Sequence, residues 1–192
     1  MQDPLENTWL SLSPRRVILE TPVGSILSER FRCVRTGAEG DFISFDFRNW
    51  VIALPVTPSG DFLLIRQFRH GERKVKWEFP GGCVDASDPD MVSAALRELR
   101  EETGYTGKKA RLIGSVAPNP ALQFNRCGIV LIEDSVPCGD AEPDETEDIE
   151  TCILPPDRLL ELIRSGEMDH GMMLNAVLFY FMETKGIGVG LQ

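Results

Sequence analysis

Histidine is scarce in this chain. There are two in 192 residues, His70 and His170, and neither stands in a spacing that pairs it with a second ligand, so neither is assigned to a metal. Five cysteines occur, Cys33, Cys83, Cys127, Cys138 and Cys152. Their number is odd, no CxxC pair exists and zinc-type spacing is absent. With no secretory signal at the N-terminus, reduced thiols in a cytoplasm are the expectation. Cys83 reads as a small apolar filler. No apolar run reaches the roughly 18 residues of a membrane span. The longest candidate, residues 177–182, is short and reads as part of a helix. Positive charge is in deficit: 20 Lys and Arg against 30 Asp and Glu leave a net charge of −10. Duplex DNA and long RNA draw their affinity from Lys and Arg on phosphates, so they are excluded as expected partners. A small anion remains open to an acidic protein if a metal and a few arginines reverse the field locally. No GxGxxG follows a strand, which disfavours a Rossmann fold. Internal repeats and low-complexity segments are absent.

What is present is ordinary for a globular chain: 42% hydrophobic and 26% charged residues, in enough length to bury a sizeable core. The length suits one domain, or one domain with an extension. Residues 1–48 read as an N-terminal β section, with strands over Arg16–Glu20 and Ile26–Val34 and a turn over Gly37–Asp41. Residues 49–192 read as the main domain. Trp50–Val56 is a buried-type strand, and Phe62–Phe68 is expected to return beside it as a hairpin partner across the Ser59-Gly60 turn. Lys76–Phe79, Ala110–Val116, Arg126–Ile132 and Ile149–Leu154 are further strands. Residues 133–148 are polar and acidic and read as a mobile loop. A helix follows Pro155-Pro156, with Leu159, Leu160, Leu162 and Ile163 inward. A last helix spans about 169–184 and buries Met172, Met173, Ala176, Val177 and Tyr180. Strands first and helices between and after predict an α/β/α sandwich around a mixed sheet.

One stretch concentrates chemistry. Glu98, Glu101 and Glu102 stand at i, i+3 and i+4, which on a helix gathers three carboxylates on one face. Like charges this close repel unless something positive sits among them, and Mg²⁺ takes oxygen ligands from carboxylates and substrate phosphates. Asp88 reads as the N-cap of that helix, Pro89 as its first residue and Gly104 as its left-handed stop. Val92, Ala95, Leu96 and Leu99 form its expected apolar face. Upstream, Trp77-Glu78-Phe79-Pro80-Gly81-Gly82 is a strand end running into a glycine loop, where backbone can approach a ligand closely.

On these residues the chain resembles the Nudix hydrolases. The second half of that family's motif, Arg-Glu-aliphatic-any-Glu-Glu-any-Gly, is matched from Arg97 to Gly104 at every fixed position. The first half differs. Asp88 stands where the family has glutamate, the loop from Gly82 to Arg97 is one residue longer, and Tyr105 fills the last aliphatic slot. Residues 64–70 and 78–82, Pro120 fifteen residues beyond Tyr105, and the acidic segment Asp144-Glu145-Thr146-Glu147-Asp148-Ile149 are similar to the ADP-ribose pyrophosphatase branch. The similarity covers roughly residues 50–180.

The resemblance implies roles. Arg97 would be structural, with Gly104 and Asp88 shaping the motif. Glu98 and Glu102 would be the main metal ligands, with Glu101 assisting and a backbone carbonyl of Gly81 or Gly82 added; the metal would be Mg²⁺, with Mn²⁺ possible. The general base would come from the acidic loop, Glu145 first and Glu147 second, with Glu98 or Glu101 as the motif's own alternatives. Arg69, Arg66, Glu78 and Pro120 would contact substrate, since paired arginine donors suit phosphate. Trp50, Trp77 and Phe124 offer faces for a base, with core packing as the other reading. His70 is an open contact near the pocket rim. The implied reaction cleaves the diphosphate of a nucleoside diphosphate sugar, ADP-ribose first. GDP-mannose or broad NDP-sugar hydrolysis, and a non-catalytic ADP-ribose sensor, are the alternatives. A homodimer through strand exchange of the N-terminal section is the expected assembly.

Overall fold

The computed structural model describes residues 8–144 and 146–185. Contacts divide the chain into two units. One takes the chain up to Arg48 together with Ala117–Asn125; the other takes Asn49–Val116 and the chain from Arg126 onward.

The first unit is an antiparallel sheet of β1 (Trp9–Ser11), β2 (Arg16–Thr21), β3 (Gly24–Cys33) and β4 (Glu39–Phe47). The long β3 pairs with each of the other three. The second turn falls before Glu39, slightly earlier than expected, with Gly37 in the left-handed conformation that glycine adopts freely. Phe42 stands edge-on to Trp9 and Phe31, with ring centroids 5.2 and 5.7 Å away. The Ala117–Asn125 segment joins this sheet because the Phe45 amide donates to the Leu122 carbonyl at 2.7 Å, and Arg15 lies over the Phe124 ring.

The second unit holds β5 (Trp50–Pro55), β6 (Phe62–Arg69), β7 (Lys74–Glu78), β8 (Gly81–Cys83), α1 (Met91–Thr103), β9 (Tyr105–Thr106), β10 (Lys109–Val116), β11 (Cys127–Glu133), β12 (Val136–Pro137), β13 (Ile149–Leu154), α2 (Pro156–Ser165) and α3 (Gly171–Lys185). Its larger sheet runs β10-β11-β5-β8 and is mixed, β11 and β5 being parallel. A second sheet runs β13-β6-β7.

Alternation along β5 explains the layers, since successive side chains point to opposite faces. Val51 and Ala53 pack with Ala94, Ala95 and Leu99 of α1, and with Val130 and Ile132 of β11. Ile52 and Leu54 pack with Leu159 and Leu162 of α2, with Met173, Ala176 and Val177 of α3, and with Ile129 and Leu131. The mixed sheet therefore lies between α1 on one face and α2 and α3 on the other, the expected α/β/α sandwich. Leu99 is fully buried, and its truncation to Ala would cost about 2–5 kcal/mol.

Three local expectations are corrected. β6 is not the hairpin partner of β5: a strand has two edges, and those of β5 carry β11 and β8, while those of β6 carry β7 and β13. The bridge Val56–Phe62 and the Thr57 amide, donating to the Asp61 carbonyl at 2.9 Å, close the turn between β5 and β6. The helix is capped by Asp90, whose carboxylate accepts from the Ser93 amide at 2.7 Å, because the Asp88 carboxylate is taken by Arg97. The apolar face of α1 also turns slightly: Ala94 is fully buried, while Val92 and Leu96 are half-buried.

Candidate active site

The glycine loop is itself a strand. β8 pairs with β5, placing Gly81 opposite Ile52 and Gly82 opposite Val51. Gly81 is needed for space, and Gly82 leaves room for the Glu98 carboxylate where it stands. A Cβ on Gly81 would overlap the Val51 carbonyl oxygen, and one on Gly82 would stand 2.5 Å from a Glu98 carboxylate oxygen. Helix α1 thus lies directly on this strand, and the Gly81 amide donates to Glu102 Oε2 at 2.9 Å.

Arg97 organises the acids around that contact. Its Nε and Nη2 donate to the two Asp88 oxygens at 3.2 and 2.9 Å, and Nη2 also reaches the Cys83 carbonyl at 3.0 Å. Its Nη1 donates to Glu98 Oε1 at 3.1 Å and to Glu101 Oε2 at 2.9 Å. Asp88, shorter by one methylene than the glutamate of the family motif, still takes the guanidinium with both oxygens and accepts from the Asp85 amide at 2.9 Å. The Arg97 bond holds the Asp88 carboxyl below its ordinary range.

Glu98 and Glu102 are left with too little positive charge. Burial pushes the Glu102 carboxyl up to about 8, helped by the charges of Glu98 and Glu147 and opposed by the Gly81 amide. Burial also pushes Glu98 up to about 7, against the nearby Arg97. Among the described residues no three His, Cys, Asp or Glu side chains are grouped to grip an ion by themselves. The donors that are present, the buried Glu102 and half-buried Glu98 carboxylates with Glu101 and the Gly81-Gly82 backbone beside them, are hard oxygens. They suit a divalent cation that keeps water and substrate oxygens among its ligands, as Mg²⁺ does.

The acidic segment is tied to the end of α1 rather than free. Gly104 ends the helix in the left-handed conformation, and its carbonyl accepts from the Cys138 amide at 2.8 Å. The Glu142 amide donates to the Glu101 carbonyl at 2.8 Å, and β12 pairs with β9. Glu147 accepts from the Asp144 amide at 3.1 Å, and its charge is felt by Glu98, Glu102 and Arg69. Glu145 lies outside the described residues.

Beside β8 opens a cavity of about 510 Å³. Trp50, Ile52, Cys127, Met172 and Met173 form its apolar part, and Arg69, Lys76, Glu78 and His170 its polar part. Glu78 does not stand free to bind substrate. Its buried carboxylate accepts from Arg69 Nε at 3.0 Å, lies 3.1 Å from His170 Nδ1, and is reached by Gln67 Nε2 at 3.4 Å. Burial by itself would raise Glu78; the His170 and Arg69 bonds and charges overcome this and hold it at about 2.

Arg66 is separated from this group. It points from the other face of β6, since residues 66 and 69 differ in parity along the strand. There it pairs with Glu150 at 2.7 Å, lies over the Trp77 ring and lines a second cavity of about 250 Å³ with Lys74 and Glu167. Trp77 lies under Arg66, and Trp50 lines the main cavity. His70 stands edge-on to Phe68. Pro120 and Phe124 belong to the first unit. Sequence reading missed His170. A lone histidine before an apolar helix gives no local signal, and its partner Glu78 lies 92 residues away.

The geometry defines an α/β/α domain with a carboxylate-bearing helix seated on a glycine strand. A family profile described as NUDIX domain matches residues 46–175, and the chain belongs to that family. It is 33% identical over 119 residues to the ADP-ribose pyrophosphatase of Bacillus subtilis (strain 168), covering 62% of this chain and 64% of that protein. It is 29% identical over 127 residues to the ADP-sugar pyrophosphatase of Mus musculus, covering 62% of this chain and 56% of that protein. The matched stretch thus spans less than two thirds of either relative. In fold it is similar to a crystal structure of an ADP compounds hydrolase, with a TM-score of 0.81 and 19% identity over 94% of this chain and 96% of the other. No helix among the described residues is long and apolar enough to cross a membrane.

Proposed function

We propose that the chain is a divalent-metal-dependent pyrophosphohydrolase of nucleoside diphosphate sugars, with ADP-ribose as the preferred substrate. The observation that carries this reading is the pair Glu98 and Glu102, packed against the Gly81-Gly82 strand with too little positive charge, beside a cavity lined by Arg69 and Trp50. The names of the relatives, an ADP-ribose pyrophosphatase and an ADP-sugar pyrophosphatase, support the substrate class.

Glu98 and Glu102, with Glu101 and the glycine backbone, would hold Mg²⁺ or Mn²⁺, which when bound neutralises the diphosphate and activates water. Arg97 keeps Glu98 and Glu101 aimed at the site. Arg69, fixed by Glu78, binds a phosphate oxygen from the end of β6. Trp50 offers a flat apolar face to the base or sugar. A carboxylate of the acidic segment, Glu145 or Glu147, takes the proton of the attacking water. Water adds to one phosphorus, the anhydride oxygen leaves, and the products are a nucleoside monophosphate and a sugar phosphate. Exposed Val17, Ile18, Leu19, Phe42 and Ile43 favour a homodimer through the N-terminal sheet. The five unpaired cysteines suit a reducing cytoplasm.

Incubation with ADP-ribose, GDP-mannose and diadenosine polyphosphates in Mg²⁺ tests the reading. Turnover of ADP-ribose ahead of the others is expected, and no turnover of any diphosphate sugar would overturn it. Glu145→Gln and Glu147→Gln then locate the base: the variant that loses turnover but still binds metal marks it. Sedimentation of the full chain should give a dimer; a monomer at micromolar concentration would remove the assembly from the proposal.

A further inference from the structure

Two adjacent residues at the entrance of α3 are pinned to one strand. Lys76 and Glu78 are two apart on β7 and so share a face. Lys76, itself nearly buried, holds Asp169 at 2.6 Å and Glu72 at 2.6 Å, and Glu78 holds His170. The His170 carbonyl accepts from the Met173 and Leu174 amides, so this anchor also sets the first turn of α3 and the methionine wall of the cavity.

The anchor determines which nitrogen of His170 faces the cavity. Glu78 is held ionised and can only accept, so the proton between them sits on Nδ1. Nε2 has no partner among the described residues, and the side chain is 40% exposed where it lines the cavity. With Nδ1 donating to Glu78, Nε2 is the ring nitrogen left to meet a ligand in the cavity, and the imidazole tautomer that carries its proton on Nδ1 accepts there. Arg69, bound to the same Glu78, also lines the cavity, and its guanidinium suits phosphate. A donor on the ligand beside that phosphate is a sugar hydroxyl.

We infer that His170 is a substrate-contacting, specificity-determining residue: with Nδ1 fixed on Glu78, its Nε2 accepts a hydroxyl of a sugar attached to the diphosphate. The inference deepens the proposed function and rests on it for the substrate class. It makes a hydroxyl-bearing sugar part of what the cavity selects, alongside the phosphates.

Two variants separate this contact from bracing of Glu78. His170→Asn keeps an amide nitrogen at the Nδ1 position and removes the acceptor at Nε2. His170→Gln keeps an acceptor near Nε2 and gives up the Nδ1 bond. Affinities of the full chain with Mg²⁺ are read by calorimetry for three probes: α,β-methylene ADP-ribose, α,β-methylene ADP and inorganic pyrophosphate. His170→Asn is expected to weaken the ADP-ribose analogue by about tenfold, the loss of one hydrogen bond, and to leave pyrophosphate unchanged. His170→Gln should retain most of the affinity. If the ADP analogue weakens equally, the hydroxyl belongs to the nucleoside ribose; if only the ADP-ribose analogue weakens, it belongs to the distal sugar. The inference is overturned if His170→Asn binds all three probes as the unaltered chain does, if pyrophosphate weakens by the same factor, if His170→Gln is the damaging change, or if the analogues do not bind the unaltered chain. Hydrolysis of ADP-ribose with an unchanged KM in His170→Asn would overturn it while leaving the proposed activity standing. Absence of any hydrolysis by the unaltered chain would remove that activity, and the analogue affinities would still judge His170.

Discussion

Two sets of carboxylates lie near the Gly81-Gly82 strand, Glu78 just before it and Glu98 with Glu102 against it, and their electrostatics are opposite. Glu78 is saturated by Arg69 and His170 and held at about 2. Glu98 and Glu102 share part of one guanidinium and one backbone amide, and are pushed up to about 7 and about 8. The protein has surrounded one acid with its own donors, Arg69 and His170, and left the other pair short of positive charge. Glu78 is thereby a brace that fixes two neighbours, while Glu98 and Glu102 form a place for a cation that the chain does not supply. Burial alone does not distinguish them; the number of donors each can reach does.

The largest test of this contrast is Glu102→Gln. If the pair holds a cation needed for the reaction, Mg²⁺-dependent turnover of ADP-ribose should fall by about 10²–10³, comparable to losing a transition-state-stabilising group. The far-ultraviolet spectrum should be unchanged, and full activity would remove Glu102 from the site.

The converse change on the braced side should damage the fold. Glu78→Gln is expected to cost about 3 kcal/mol at pH 7, from the lowered carboxyl and the loss of its paired charges. The sign follows from the direction of the shift. A carboxyl lower in the folded than in the unfolded chain adds stability above its unfolded value, and that stability is lost as pH falls toward about 2. The gap between the two proteins in urea unfolding should therefore narrow from about pH 4.5 downward. A gap that does not change with pH would mean that Glu78 acts only by packing.

A cation should stabilise the deficient side alone. At a hundredfold excess over its dissociation constant, Mg²⁺ is expected to add about 2.7 kcal/mol to the unaltered chain and to raise its Tm. The Glu98→Gln, Glu102→Gln double variant should not respond, and an equal response would place the cation elsewhere. Arg66→Ala should have the smallest effect. Its partner Glu150 is exposed, so less than about 1 kcal/mol of stability and little change in KM are expected. A large rise in KM would return Arg66 to the main site.

Helix α1 could be read from the chain because its rules are local. Carboxylates at i, i+3 and i+4, alanines and leucines on the other side, and a glycine stop all act within a few turns. The cap was misplaced by two residues because Asp88 and Asp90 are equally good caps in isolation, and only Arg97, folded back from the next turns, claims Asp88. The β5–β6 pairing was misread for a similar reason. Hairpin signals speak to neighbours in the chain, whereas β11, which occupies an edge of β5, arrives 77 residues later. Arg66 and Arg69 look alike in sequence, and strand parity sends them to different cavities. The acidic segment read as free because its tethers are backbone bonds to Gly104 and Glu101, which composition does not reveal.

The sequence by itself determined the sandwich layers, the carboxylate face and the glycines against which it lies. Each follows from periodicity or steric need within a short stretch. The tertiary structure alone decided which acids are paired and which are left short of charge. It joined Glu78 to His170 and Lys76 to Asp169 across more than ninety residues, and it seated the Glu98 carboxylate on Gly82. The physical reason is that a carboxylate's behaviour in a buried site depends on every donor and charge within a few ångströms, and those neighbours are gathered by packing.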